Sequence, residues 1–269
     1  MKKALVILAI FLIVVIVGSA IIFALMFYGN PVSRLLARRA AIQHLQENYS
    51  GTDYVIDNVF YDFKFGYYGV YVVSPSSIDG GFSITVNANG QFLYDSYESD
   101  VLNKGTVAWR IENSYRNAVK AVLEGASFSY SIDSGYGEIC FAYDDRPEDV
   151  VVPPYAIPIK DLVIDAAYDT YEMGKRAGHL VLYVSEETPG VERFAEILLD
   201  IRQKMDAAGV GFVSIDCVFQ SNCENSQERI EVMEFAYTDI YEENLVERVR
   251  EASEAARAYW EEQDKEKGI

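Results

Sequence analysis

The sequence predicts an α+β protein that has one N-terminal transmembrane helix and two small modules, each with an antiparallel sheet packed against helices. Three observations lead to this prediction: a long uncharged apolar run, strand-like segments that alternate between apolar and polar residues, and other segments with apolar residues at helical spacing. We expect residues 1–29 to form a cytoplasmic tip and membrane anchor. Residues 30–124 should form a helix-meander-helix module, and residues 125–269 a second module that ends in a long helix.

The anchor prediction depends on an apolar run from Ala4 to Tyr28 that contains no charged residue. A helix of this length would measure roughly 37 Å, which is longer than the ~30 Å hydrocarbon core of a bilayer. A cleaved signal peptide is the alternative, because Gly18, Ser19 and Ala20 would suit a signal peptidase. The apolar region of a signal peptide is normally only about 7–15 residues long, so we expect an uncleaved, single-pass anchor.

The charges on either side of this run barely favour one orientation. The α-amino group, Lys2 and Lys3 precede it, and Arg34, Arg38 and Arg39 follow it. Basic residues are enriched on the cytoplasmic side of membrane helices, and here both sides carry them. We expect the N-terminus inside and both modules outside the cytoplasm. The opposite orientation would place an acidic domain in the cytosol, where it would bind a basic partner.

The first module should begin with a helix that follows the anchor directly. Gly29 can end the membrane helix, Asn30 can cap the next helix, and Pro31 suits the first helical position. A second helix is predicted from about Tyr97 to Leu123, with a kink at Gly105. Between the two helices, the alternating segments predict a meander of strands at 52–65, 70–74, 82–86 and 91–94.

The second module should combine strands with two well-marked helices. Thr188 is predicted to cap a helix that Gly209 ends, and Asp239 with Glu242 matches the capping-box pattern for the last helix. In the strand at 210–220, Cys217 lies on the apolar face together with three other apolar residues. The predicted strands are 128–132, 139–143, 179–185, 210–220 and 229–237.

The charge of the chain argues against nucleic acid as a partner. The formal net charge is −18, from 41 acidic and 23 basic side chains, and nucleotide phosphates need concentrated Lys and Arg. Residues 1–46 contain five basic and no acidic side chains, so the remainder carries a net charge of −23. The chain is nonetheless half apolar, with a mean hydropathy of +0.01, which excludes an intrinsically disordered acidic protein.

An acidic run in the second module is the candidate for calcium, since this ion takes carboxylate oxygens. The run lacks the spacing of an EF-hand loop, so we expect a solvated surface loop instead. Paired carboxylates could also serve a glycosidase, but in a chain with 41 acidic residues such pairs carry little information. The residues of the run are Asp144, Asp145, Glu148 and Asp149.

The histidines and cysteines carry no recognisable catalytic motif. His44 and His179 lie outside any H-E-x-x-H pattern, and G-x-S-x-G and nucleotide-binding loops are missing from the sequence, so we expect structural histidines. Cys217 and Cys223 could form a disulfide outside the cell, although a cysteine on an apolar strand face usually acts as a small hydrophobic residue. Cys140 has no obvious partner. The sequence therefore assigns no catalytic, cofactor-binding or metal-binding residue.

Several segments in both modules follow the pattern of a known protein family. The segments are Tyr28-Gly29-Asn30-Pro31-Val32-Ser33 and onward to the Asp53-Tyr54 strand, Val73 to Asp79, Gly174 to Leu180, and Ala195 to Leu199 with Ala208-Gly209. Together they resemble the YfjL-like family of small membrane-anchored proteins from Gram-positive bacteria. The resemblance implies a two-domain, bacterial, single-pass protein, and it brings no established activity to any residue. Cys217, Cys223 and the long final helix have no counterpart in the family pattern.

An anchored pair of compact modules without a recognisable site favours a non-enzymatic binding protein of the cell envelope. Its partners would be membrane lipid, through the anchor, and an unknown envelope protein or peptide, with no nucleic acid, nucleotide or cofactor. The many tyrosines suit either a recognition surface or an aromatic core. The alternative is an envelope hydrolase that uses paired carboxylates on cell-wall material.

Overall fold

The computed structural model describes residues 2–143, 150–224, 226 and 228–267, and it divides the chain into two compact units, Met1–Thr106 and Val107–Ile269. This division comes earlier than the boundary predicted between residues 124 and 125. The helix over Gly105–Gly125 explains the difference, because its buried side chains, from Val107 to Val122, belong to the core of the second unit. Each unit has its own α+β fold, which confirms the predicted fold class.

The first unit begins with two helices, α1 (Lys2–Tyr28) and α2 (Pro31–Asn48). Gly29 joins them with a φ of +74°, a left-handed conformation that glycine adopts without strain. Asn30 caps α2 as predicted, since its side chain accepts a hydrogen bond from the Val32 N–H at 2.8 Å. The described part of the chain has one helical segment that is long and apolar enough to cross a membrane, and it includes most of α1.

Four strands then form the predicted antiparallel meander, in the spatial order β1-β2-β3-β4. The helix α2 contributes Ala37 and Ala41 to the same buried cluster as the apolar side chains of the sheet, so one face of the sheet is covered. The strands are β1 (Val55–Asp62), β2 (Tyr67–Ser74), β3 (Ser77–Val86) and β4 (Phe92–Asp95).

The predicted single helix after this sheet, kinked at Gly105, is wrong in detail. A short π-helical segment covers Glu98–Leu102, and α3 (Gly105–Gly125) starts separately. Lys104 lies between them with a φ of +61°, which no residue of a right-handed helix adopts. The right-handed helical conformation is therefore interrupted at this residue, and α3 is a separate element.

Within the described residues, the second unit contains six strands and three further α-helices. The elements are β5 (Ser131–Ile139), β6 (Phe141–Ala142), β7 (Ile157–Pro158), α4 (Thr170–Ala177), β8 (Gly178–Glu186), α5 (Val191–Ala207), β9 (Ser214–Ser221), β10 (Arg229–Ala236) and α6 (Leu245–Lys267). Four of the strands form one sheet in the order β10-β9-β8-β5. The pairs β5–β8 and β9–β10 are antiparallel, whereas β8 and β9 are parallel and are joined through α5.

One face of this sheet is buried and the other is partly exposed. Ile215, Cys217 and Phe219 of β9 lie in the core with α3, α5 and α6, as the alternation in this strand predicts. On the opposite face Tyr136 and Tyr183 are 41% and 42% exposed. We call this second surface the open face; it consists of Tyr136, Glu138, His179, Val181, Tyr183, Asp216 and Val218.

The prediction of two strands around Gly135 and Gly137 is wrong, since β5 runs through both glycines. A Cβ atom on Gly137 would lie 2.5 Å from Cγ2 of Val119, and one on Gly135 would lie 2.4 Å from Cδ2 of Leu182. The glycines therefore mark close packing within the core, not a turn.

Two predicted helix caps are also wrong. The helix α5 begins after Gly190, beyond the predicted cap at Thr188, and its start has no side-chain cap. The predicted capping-box residue Asp239 ends a short 3₁₀ segment, and α6 begins only at Leu245. The helix α4 was not expected at all, although Asp169 caps it by accepting a hydrogen bond from the backbone N–H at position 172.

Candidate functional site

Polar side chains gather at one end of the open face, where β8 and β9 begin. Strand pairing places Glu138 of β5 and Ser214 of β9 directly beside His179, the second residue of β8. Asp216 lies two residues further along β9, and therefore points to the same face as Ser214. Glu234 of β10 completes the group. We call Glu138, His179, Asp216 and Glu234 the His179 cluster.

His179 stands between two carboxylates. Its Nδ1 lies 3.0 Å from Oε1 of Glu138, within hydrogen-bond distance, and its Nε2 lies 3.3 Å from Oδ1 of Asp216. The imidazole is almost fully buried, with 8% of its side-chain surface exposed. The geometry at Nε2 does not make a hydrogen bond, so this nitrogen is buried without a hydrogen-bond partner. Such atoms are rare in folded proteins, and they are explained by strain, by a functional role, or by a bound water or ion.

Glu234 reaches the cluster through an irregular backbone. The pairing of β10 with β9 shifts between Val232 and Phe235, and Glu234 itself has a φ of +48°. This bulge lets its N–H donate to Oδ1 of Asp216 at 2.6 Å. A non-glycine residue with a left-handed backbone conformation is uncommon and often lies at a functional site.

The Glu234 carboxylate is oriented by two hydroxyl groups. Tyr155, from the segment before β7, donates to Oε2 at 2.7 Å, and Ser214 lies 3.1 Å from the same oxygen. Burial raises the pKa of the Tyr155 hydroxyl, so it remains protonated and able to donate. Glu234 is therefore held in place by Ser214 of β9 and by Tyr155 of the segment before β7.

The carboxylates determine the charge of the histidine. Burial opposes a charge on His179, but its contacts with Asp216 and Glu138 outweigh this effect and raise its pKa to about 9. Burial also opposes the charge of Asp216, yet the contact with His179 and the N–H of Glu234 lower its pKa. His179 is therefore protonated at neutral pH and faces the ionised carboxylate of Asp216.

Cys140 borders the cluster and belongs to a second group of possible ligands, with Glu138 and His179, whose ligand atoms lie within 4.8 Å of one another. Burial, followed by the charge of Glu138, raises the pKa of its thiol to about 11. The thiol is therefore a poor nucleophile at neutral pH. His179, Asp216 and Glu234 form the other such group.

The remaining sequence-predicted residues lie apart from this site. His44 belongs to the first unit, where its Nε2 lies 2.6 Å from Oδ2 of Asp95 and its ring stacks on Phe92. Cys217 is buried and Cys223 is exposed, and both are free thiols. The acidic run Asp144, Asp145, Glu148 and Asp149 lies outside the described residues.

Sequence reasoning gave His179 a structural role and missed its partners. One signal was available: the apolar alternation in β9 places Asp216 on the face opposite the core. The pairing of β5 with β8 and the bulge at Glu234 could not be read from residue patterns, because both depend on contacts between distant segments.

Comparison with known families matches both units. A family model described as YfjL-like, N-terminal domain, matches residues 1–100, and a second, described as YfjL-like C-terminal domain, matches residues 114–250. No curated protein and no solved structure matches the chain.

Proposed function

The chain belongs to the YfjL-like family, and from this premise we propose that it is a single-pass membrane protein whose second unit binds a partner protein outside the cytoplasm. The observation that carries the binding proposal is the open face, a sheet surface with exposed tyrosines beside a carboxylate cluster. In this proposal the protein does not catalyse a reaction.

The anchor is supported by α1 and by its contact with the first sheet. The described large apolar side chains of α1 are exposed, as expected for a helix that faces lipid. At its end, the ring of Phe27 lies 5.5 Å from that of Phe63, at the tip of the β1–β2 hairpin. Phe63 and Phe65 are 63% and 65% exposed, and Lys64 lies between them. Aromatic and basic residues are common where a protein meets lipid headgroups, so this tip supports a membrane surface at the end of α1.

The open face has the composition of a protein-binding surface. Tyr136 and Tyr183 supply large amphipathic rings. Val181 pairs with Tyr136 and Val218 with Tyr183, and both valines are half-buried. Tyrosine is enriched at interfaces because its ring is apolar and its hydroxyl can still form hydrogen bonds. Glu138 and Asp216 add negative charge. We expect a partner segment that combines basic and apolar side chains.

Crosslinking in intact cells tests the binding proposal. A photo-reactive amino acid in place of Tyr183 should yield a crosslinked partner, whereas the same amino acid in place of Tyr259, an exposed residue of α6, should not. Mass spectrometry would identify the partner. Equal crosslinking at both positions, or none at Tyr183 in cells that contain the folded protein, would contradict the proposal. Release of wall fragments by the purified chain, abolished by Glu234→Gln, would support the hydrolase instead.

Cys223 offers a direct test of orientation. It is the exposed cysteine among three free thiols, since Cys217 is buried and Cys140 is half-buried. We expect a membrane-impermeant maleimide to label the chain in intact cells and to leave the Cys223→Ser variant essentially unlabelled. Labelling that requires permeabilised cells would place the second unit in the cytoplasm and overturn the proposed orientation.

A further inference from the structure

The two nitrogens of His179 have unlike surroundings. Glu138 lies in hydrogen-bond distance of Nδ1, which fixes the plane of the ring, while Nε2 is buried without a hydrogen-bond partner and is directed at Asp216. Histidines that bind metals have the same arrangement: one nitrogen donates to a carboxylate, and the other ligates the ion. The carboxylate on Nδ1 orients the ligand and makes it more basic.

We infer that His179 Nε2, Asp216 and Glu234 bind a divalent transition-metal ion of the zinc class, with Glu138 as the outer carboxylate that orients the histidine. The ion displaces the proton of Nε2, which is released to solvent. The proposal is independent of any partner on the open face.

The distances suit such an ion. Two ligands at about 2.0–2.1 Å from a tetrahedral zinc ion are roughly 3.4 Å apart. The Nε2 to Oδ1 separation is 3.3 Å, close to this value and longer than the ~2.9 Å typical of a hydrogen bond between nitrogen and oxygen. The ligand atoms of all three residues lie within 4.8 Å of one another, so the Glu234 carboxylate needs a small movement to complete the site.

The ligand chemistry selects the class of ion. Calcium and magnesium prefer oxygen ligands throughout, whereas imidazole suits zinc, nickel, copper and iron. The side chains of Asp216 and Glu138 are about one third exposed, so an ion can enter from solvent although the histidine is buried. The surrounding charges favour a cation, because the cluster contains three carboxylates and one histidine.

The support around the ligands is already in place. The hydroxyls of Tyr155 and Ser214 orient Glu234, and the N–H of Glu234 orients Asp216. Ligands that are held in this way lose little freedom on binding, which is the usual property of a preformed metal site. An ion pair explains why His179 lies between Glu138 and Asp216, and the N–H of Glu234 supports Asp216. It gives no role to the Glu234 carboxylate, whose oxygen lies within 4.8 Å of the other two ligand atoms.

Metal titration of the full chain tests the site. We would purify the chain without a histidine tag, in detergent, remove metals with a chelator, and add Co²⁺ as a spectroscopic substitute for Zn²⁺. We expect one ion per chain, visible absorption typical of tetrahedral cobalt, and displacement by Zn²⁺. His179→Gln and Asp216→Asn should each weaken binding by at least about 100-fold, and Glu138→Gln by about 10- to 100-fold.

Two controls distinguish metal binding at this site from nonspecific metal binding and from the effects of unfolding. His44→Gln removes the other histidine, in the first unit, and should leave the affinity unchanged. Circular dichroism of each metal-free variant should show an intact fold. If His179→Gln does not fold, Asp216→Asn still tests the site, because this substitution is nearly isosteric. The proposal is overturned if folded wild-type protein binds no Co²⁺ or Zn²⁺ at millimolar concentration. It is equally overturned if folded Asp216→Asn and His179→Gln both bind as tightly as the wild type.

Discussion

Replacing Gly174 with alanine should destabilise the second unit by about 3 kcal/mol, although alanine is the better helix former. A Cβ atom at this position of α4 would lie 2.2 Å from the carbonyl oxygen of Gly211 and 2.5 Å from Cε2 of Tyr115. Neither neighbour can easily move, because Tyr115 is fully buried and its hydroxyl donates to that same carbonyl at 2.8 Å. The helix must therefore shift away from the chain around Gly211.

Thermal and urea denaturation would measure this effect, and we expect the melting temperature of the second unit to fall by about 10 °C. Gly125→Ala is the matched control, since a Cβ atom at the end of α3 would contact nothing within 4 Å. Gly125→Ala should change stability by less than about 1 kcal/mol. Equal stability of the two variants would show that α4 is not held against residue 211 as the structure has it.

The proposal that α1 spans the membrane predicts that removal of residues 1–28 yields a chain that is extracted in water. The deletion removes the whole apolar run and leaves Asn30 to cap α2. After carbonate treatment of membranes, we expect the full chain in the pellet and almost all of the shortened chain in the supernatant, because a span of this length inserts essentially irreversibly.

The matched control keeps the span and removes the basic residues that follow it. With Arg34, Arg38 and Arg39 all changed to Gln, the chain should still resist carbonate, because burial of α1 in lipid and not charge holds it in the membrane. A shortened chain that still resisted carbonate would refute the assignment of α1 as the anchor. Loss of the triple variant from the pellet would show that the arginines, not the span, hold the protein.

The parts of the fold that follow from local chemistry could be predicted. The start of α2 follows from Asn30 and Pro31, and the buried face of β9 follows from its alternating residues. The meander of the first unit follows from short turns between alternating segments, because these leave little choice of pairing. In each case, neighbours in the sequence determine the structure.

The parts that depend on distant segments could not be predicted. Gly135 and Gly137 resemble turn residues until α3 is packed against them. The parallel pairing of β8 with β9 needs the α5 crossover, and a pattern of apolar residues does not reveal strand direction. The same reason explains why His179 was predicted to be structural while Glu138, Asp216 and Glu234 were missed.

The wide sequence separation within the His179 cluster has a consequence for the synthesis of the protein. Its residues extend from Glu138 to Glu234, so the cluster cannot close until β10 has left the ribosome. Before that point, β8 can pair with β5 on one side, while its other edge remains unpaired until β9 has been synthesised. Folding that needs such non-local pairing is slow, and an unpaired strand edge is prone to aggregate. Newly made chains should therefore depend on chaperones most strongly between the synthesis of β8 and that of β10.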